Sequence, residues 1–174
     1  MSEVQMPSSL KGKAHVYGDH IDTDRIIPGK YTKTLDLSTL ANHVLEDLDP
    51  SFKDKVQQGD ILIAGINFGS GSSREQAPLA LKQSGVALVI AEDFARIFFR
   101  NAINIGLPVL EIGKHSIPKN AEVEVDMKAG TVTDVTSGKT YAATKLPKIM
   151  MDILNEGGLV KYLKKHGNYS LENE

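Results

Sequence analysis

The segment Asn67-Phe68-Gly69-Ser70-Gly71-Ser72-Ser73-Arg74-Glu75 puts hydroxyls and a guanidinium side by side. It follows an apolar run ending at Ile66 and precedes a helix-like pattern, so it reads as a turn between a strand and a helix starting near Ser73. Gly69 and Gly71 can take backbone conformations that a Cβ obstructs. Unpaired N–H groups at a helix start, together with the helix dipole, favour an anion, and Arg74 adds a planar fork that matches a carboxylate or phosphate bidentately. A structural loop uses the same residue types, so the turn alone leaves both readings open. Three templates do not fit. The phosphate loop needs a Lys after its last glycine, the dinucleotide fingerprint has a glycine where Arg74 stands, and the hydrolase elbow has glycines where Phe68 and Ser72 flank Ser70.

A second polar cluster, Asp19-His20-Ile21-Asp22-Thr23-Asp24-Arg25-Ile26-Ile27-Pro28, lacks calcium-loop spacing. Asp22 and Asp24 read as turn-makers bonding nearby backbone, which leaves Asp19 as the carboxylate of interest for a site. The histidines at 15, 20, 43, 115 and 166 are scattered without paired ligand spacing, and none is assigned to a metal. The run Phe94 to Arg100 alternates as a helix with Phe and Ile inward, leaving Arg96 and Arg100 as candidates for a ligand edge.

The elements that position these groups are legible as a pattern. Apolar runs at Ile61 to Ile66, Val86 to Ala91 and Leu107 to Ile112 are nearly free of polar residues, as strands covered on both faces are. Between them lie helix-like segments, Arg74 to Gln83, stopped by Ser84-Gly85, and Phe94 to Asn104, stopped by Gly106-Leu107-Pro108. This β-α-β-α-β order predicts an α/β fold with a parallel core. Right-handed crossovers then place both strand-to-helix turns at the one sheet edge where such folds bind ligands. A strand at Lys13 to Tyr17 and a helix near Ser38 to Leu45, capped by Asp36 or Ser38, precede this core. Alternation over Glu122 to Asp126, with turn signals at Ala129-Gly130 and Ser137-Gly138, adds a small antiparallel hairpin and makes the sheet mixed. Pro147 to Lys165 closes the chain as a helical pattern broken by Gly157-Gly158, followed by a polar tail expected to fray.

Composition narrows the function further. The chain has 174 residues, 41% of them hydrophobic, the size of one domain with its own core. We expect a single domain with an ordered core over residues 10–166. With no cysteine, it offers no disulfide, thiolate nucleophile or thiolate-held iron–sulfur cluster. A formal net charge of -2 without a basic stripe points away from nucleic acid. No apolar run approaches a membrane span, and the N-terminus lacks a signal pattern, so a cytoplasmic location is expected.

Four motifs in order, Gly18-Asp19-x-x-Asp22-Thr23-Asp24-x-Ile26-Ile27-Pro28, Asn67-Phe68-Gly69-x-Gly71-Ser72-Ser73-Arg74-Glu75, Ala91-Glu92-x-Phe94-Ala95-Arg96-Ile97-Phe98 and Arg100-Asn101-Ala102-Ile103-Asn104-x-Gly106-Leu107-Pro108, make nearly the whole chain resemble the small subunits of 3-isopropylmalate dehydratase, which are equivalent to the swivelling domain of aconitase-type hydro-lyases. The resemblance implies a swivelling-domain-like mixed sheet. It also implies a heterodimer or heterotetramer with a large subunit carrying a [4Fe-4S] cluster, and a hydroxy-dicarboxylic or tricarboxylic acid as substrate. Ser72 matches the family's serine base, and Arg74 the arginine that grips a substrate carboxylate, with Ser73 lending a hydrogen bond. Asp19, Gly69 and Gly71 match supporting positions. The chemistry implied is conversion of 2-isopropylmalate to 3-isopropylmalate by elimination and re-addition of water, in leucine synthesis.

One departure concerns substrate choice. The family's loop commonly reads Tyr-Leu-Arg-Thr where this chain has Tyr31-Thr32-Lys33-Thr34, so a Thr replaces an apolar residue and a point-charge lysine, still a candidate substrate contact, replaces a bidentate arginine. Homoaconitase and 2,3-dimethylmalate dehydratase are therefore alternatives within the class. A non-enzymatic acid-binding domain is the alternative outside it, and it would not require the Ser72 hydroxyl. Gln76 and Ser70, where the family often has His and Cys, are read as changes in packing.

Overall fold

The structure, a computed structural model, describes residues 9–34 and 36–167; the polar tail expected to fray lies outside the described residues. The chain runs β1 (Ser9–Val16), α1 (Thr23–Ile26), a 3-10 turn (Gly29–Tyr31), α2 (Leu37–His43), α3 (Phe52–Lys55), β2 (Ile61–Ala64), α4 (Gln76–Gln83), β3 (Leu88–Ala91), α5 (Arg96–Asn104), β4 (Val109–Glu111), β5 (Glu122–Asp126), β6 (Thr131–Asp134), β7 (Lys139–Ala142), α6 (Lys148–Asn155) and α7 (Leu159–His166). One seven-stranded sheet has the order β4-β3-β2-β1-β5-β6-β7. Strands β1 to β4 are parallel to their neighbours, and β5 to β7 form an antiparallel meander that joins β1 along its other side.

Each parallel strand is followed by its neighbour in one direction across the sheet, so right-handed crossovers carry the connecting helices to a single face. That face holds Leu62, Ala64, Val89, Ala91 and Val109 against Leu40 of α2, Phe52 of α3, Leu81 of α4, Phe98 of α5, Ile153 of α6 and Tyr162 of α7. The alternate residues Ile61, Ile63, Leu88, Ile90 and Leu110 point the other way, where Val123, Val125, Val132 and Tyr141 of the meander complete a second core. The sheet curls to achieve this, and the Thr144 N–H just beyond β7 donates to the Glu111 carbonyl of β4 at 2.9 Å. The apolar runs are thus covered on both sides, by helices on one and by the sheet itself on the other. The hairpin expected from Glu122 onward has a third strand, whose pattern is weak because only Tyr141 of Lys139–Ala142 is buried.

Two helix starts differ from the sequence reading. Helix α4 begins at Gln76, not near Ser73 or Arg74. Pro78 sets this limit: it has no N–H, so it is tolerated only in a first turn, and a helix starting at Arg74 would require Pro78 to donate to the Arg74 carbonyl. Helix α5 begins at Arg96 because Phe94 and Ala95 are still extended, bridging Phe68 with the Ala95 N–H on the Phe68 carbonyl at 2.9 Å.

Candidate active site

The glycine turn leaves β2 at the carboxyl edge of the parallel strands and is fixed on both flanks. On one side, the Gly69 N–H donates to the Ile21 carbonyl and the Thr23 N–H to the Ser70 carbonyl, both at 2.8 Å. On the other side, Asp93 takes the Asn67 N–H with its carboxylate and the Phe68 N–H with its carbonyl. Both glycines lie at positive φ, +83° for Gly69 and +101° for Gly71, so the expected need for glycine is met at both positions. The turn and the Asp-rich segment, distant in sequence, thereby form one surface.

On that surface Ser72 and Ser73 are exposed and Arg74 is partly covered. The Ser72 hydroxyl lies 3.3 Å from the Thr23 hydroxyl, and the Thr23 side chain is buried at 2% exposure. The Arg74 guanidinium pairs through Nη1 with the Asp24 carboxylate and lies against the Cα of Gly29, where a Cβ would stand 3.3 Å from Nη2. Asp24 is therefore the partner of Arg74 and not a turn-maker. Asp22 is one, capping α1 by accepting from the Arg25 N–H at 2.9 Å. Because α4 starts beyond the turn, its first N–H groups do not form the anion seat expected at Ser72. The backbone amides of Ser72 and Ser73 donate to nothing among the described residues.

Asp19 is held upstream of this group. Its carboxylate accepts the Ile66 N–H at 2.9 Å, in a space left by Gly65, where a Cβ would fall 1.7 Å from the Asp19 oxygen. Its bonding closes the ends of β1 and β2 and does not reach Ser72 or Arg74. Arg96 lines a cavity of about 370 Å³ with Phe94, Phe99, Glu111 and Met150, and Arg100 is exposed.

The loop from Gly29 to Thr34 is tied down at Gly29, Tyr31, Thr32 and Thr34. Tyr31 stacks on His43 with ring centroids 3.9 Å apart. The Thr32 hydroxyl donates to the Gly29 carbonyl at 2.8 Å, and the Thr34 hydroxyl accepts the Asp36 N–H at 3.0 Å. Gln76, the first residue of α4, donates its side-chain amide to the Thr32 carbonyl at 2.9 Å, so its role goes beyond packing. Lys33 is exposed and has no hydrogen bond or ion pair among the described residues, which leaves its ammonium for an external anion. Among the described residues, no three His, Cys, Asp or Glu side chains converge to hold a metal.

This arrangement coincides with similarity along the chain. Residues 9–115 match the aconitase C-terminal domain family. The small subunit of 3-isopropylmalate dehydratase from Caldicellulosiruptor bescii is 54% identical over 157 residues, 89% of this chain and 95% of that one. The corresponding protein of Aquifex aeolicus is 51% identical over 163 residues, 92% and 97% of the two chains. The chain belongs to the 3-isopropylmalate dehydratase small-subunit family. A crystal structure of 3-isopropylmalate dehydratase from Methanocaldococcus jannaschii, 45% identical, superposes with a TM-score of 0.88 over 91% of this chain and 95% of that one, so the two share the mixed-sheet fold. Sequence reasoning placed Ser72, Arg74 and the loop on this family's pattern but missed Thr23, Asp24 and Gln76. The signal for Thr23 and Asp24 was present only as the Asp22-Thr23-Asp24 motif, whose contacts lie about fifty residues downstream.

Proposed function

We propose that this chain is the small subunit of a 3-isopropylmalate dehydratase, a hydro-lyase acting in leucine synthesis, and that it works in the cytoplasm with a large iron–sulfur subunit as a heterodimer or heterotetramer. The observation that carries the reading is the exposed Ser72–Arg74 turn on a chain alike, over nine-tenths of its length, to proteins of that name. Its hydroxyls stand on the surface at a sheet edge, as half of a site closed by another chain would.

In this reading Ser72 removes the proton from the carbon next to a substrate carboxylate and returns a proton at the neighbouring carbon when water is added back. A neutral serine is a poor base at pH 7, so its alkoxide needs stabilising donors. The free amides at Ser72 and Ser73, the Thr23 hydroxyl and the Arg74 cation provide them. Arg74 also binds one substrate carboxylate with its fork, Ser73 adds a hydrogen bond, and Lys33 offers a charge to a second acidic group. A [4Fe-4S] cluster fits this chain only as a partner's group, because the chain has no cysteine to hold one. Bound there, it would supply a Lewis acid for the leaving hydroxyl.

The test is co-expression with a cysteine-bearing large subunit, anaerobic purification and assay on 2-isopropylmalate, dimethylmalate and homoaconitate-type acids. The complex is expected to turn over 2-isopropylmalate, and the isolated, metal-free chain none of the three. Turnover by the isolated chain, or a stable complex inert toward all three acids, overturns the reading.

A further inference from the structure

Two consecutive residues of α1, Thr23 and Asp24, reach two residues of the glycine turn that stand one apart, Ser72 and Arg74. The Thr23 hydroxyl is buried and 3.3 Å from Ser72 Oγ; the Asp24 carboxylate takes Arg74 Nη1. We propose that Thr23 and Asp24 are the positioning residues of this site, Thr23 setting the rotamer of the Ser72 hydroxyl and Asp24 setting the plane of the Arg74 guanidinium. The proposal rests on the reading of Ser72 as base and Arg74 as carboxylate clamp, and adds the residues that hold them.

The segment bearing the pair is itself rigid. Asp22 caps α1, the Thr23 N–H is bonded to the Ser70 carbonyl and the Thr23 carbonyl to the Ile27 N–H, and Ile26 and Ile27 are fully buried on the helix-covered face. A side chain carried by such a segment holds a partner more narrowly than one on a free loop. For Ser72 this matters because the residue is exposed, and an exposed serine samples its rotamers freely unless one is bonded. Among the described residues, the Thr23 hydroxyl is the bond its Oγ makes. When the serine oxygen carries charge, Thr23 can rotate to donate to it.

For Arg74 the choice of nitrogen is informative. Asp24 engages Nη1, whereas the side-on fork that clasps a carboxylate is formed by Nε and Nη2. No hydrogen bond among the described residues occupies that fork, and Gly29 keeps backbone beside it clear of a Cβ. Asp24 thus fixes one corner of the guanidinium and leaves the binding edge for the substrate. The Asp24 side chain is 69% exposed and that of Arg74 26%. A pair so open adds little to stability, so its expected consequence lies in geometry.

The experiment uses the complex with the large subunit and four variants of this chain: Thr23→Val, Thr23→Ser, Asp24→Asn and Ser72→Ala. Loss of a hydrogen bond to a charged oxygen predicts that Thr23→Val lowers kcat by about 10- to 100-fold at unchanged KM; Thr23→Ser should restore the rate. Asp24→Asn should raise KM by about tenfold with kcat largely kept, by the same loss at a charged group. A second readout needs no partner: in the isolated full chain, ¹⁵N NMR of the Arg74 guanidinium should show slow rotation that becomes fast in Asp24→Asn. If Ser72→Ala abolishes turnover but Thr23→Val keeps full kcat, or if Asp24→Asn leaves KM and Arg74 rotation unchanged, the positioning roles are wrong while the base assignment stands. A fall in KM for Asp24→Asn also overturns the proposal, since it makes Asp24 a competitor of substrate. An unaffected Ser72→Ala enzyme removes the base assignment itself.

Discussion

Gly69 and Phe98 touch so closely that a Cβ on the glycine would lie 2.3 Å from the Cβ and Cγ of the phenylalanine. Phe98 is a buried residue of α5 and packs edge-on to Phe68 with ring centroids 5.0 Å apart, so the height of the turn above the sheet is set by this contact. Gly69→Ala adds both a clash with a buried ring and strain at φ +83°; it should destabilise the chain by about 2–4 kcal/mol, read by urea denaturation. Gly71→Ala is also strained, at φ +101°, but its tightest contact is with the Thr23 hydroxyl at 3.2 Å, so it should cost less stability while lowering activity. A Gly69→Ala chain within 0.5 kcal/mol of wild type, about the scatter of neutral surface changes, would show that the ring does not fix the turn.

Ser72 and Arg74 should separate kinetically. Removing a general base costs about 10²- to 10⁴-fold in rate, so Ser72→Ala in the complex should lower kcat by that order with little change in KM. Arg74→Lys should raise KM strongly as well, because an ammonium cannot supply the fork and also loses its fit to Asp24. Steady-state kinetics on both variants decides this. Equal and mild effects would mean that the turn is structural.

How much of this was legible in the chain depends on the range of the interaction. The parallel strands were, because Ile61 to Ala64 and Leu88 to Ala91 are apolar on both faces and closed by turn residues. What covers each face was not, since periodicity reports burial and not the covering element; the curl that brings Val123 and Val132 over Ile63 is a tertiary event. The start of α4 was written in Pro78, whose missing N–H outweighs the favourable pattern from Arg74 onward. The pairing of Asp24 with Arg74 could not be read locally, because an Asp in a turn-rich segment has the same composition whether it bonds its own backbone or a guanidinium fifty residues away. Ser72 was found by motif, but the Thr23 hydroxyl beside it needed the fold.

Acid and alkaline stability should share one residue, Asp49, whose carboxylate accepts from the Tyr17 hydroxyl at 2.8 Å. Burial raises the Asp49 pKa, but bonds from Ser51, Lys55 and Tyr17 and the Lys55 charge outweigh it and hold the carboxyl down at about 2. A depressed carboxyl contributes stability above its unfolded value of 3.8, lost as pH falls toward 2. Tyr17 moves the opposite way: burial, then its bond to Asp49 and that residue's charge, push the phenol up from 10.0. Its share is present below pH 10 and fades as pH rises beyond it. Asp49→Asn should therefore flatten the fall in melting temperature between about pH 4 and pH 2 and reduce the alkaline loss above pH 10, measured by calorimetry across both ranges. Unchanged slopes in both would exclude Asp49 as their source.

Selectivity should reside in Gly29 to Thr34, because in their proposed roles Ser72 and Arg74 would act on features that related hydroxy acids share. Within that loop the Thr32 hydroxyl is already spent on the Gly29 carbonyl and its own carbonyl on Gln76, while Tyr31 lies stacked on His43. The Lys30 ammonium lies over the Tyr31 ring at 5.2 Å, whereas Lys33 presents a charge with no partner among the described residues, and a charge meeting a substrate carboxylate discriminates more than an apolar wall, which separates a methylene or two by only about 1–3 kcal/mol. Exchanging Thr32 and Lys33 for Leu and Arg should change the ratios of kcat/KM among isopropylmalate, dimethylmalate and homoaconitate-type acids, with Lys33→Arg giving most of the change. Gln76→Ala is the companion variant: it frees the loop from α4 without altering any side chain that faces substrate, and should raise KM for all three acids alike. If the double exchange leaves every ratio unchanged while activity survives, the choice of acid is made on the large subunit.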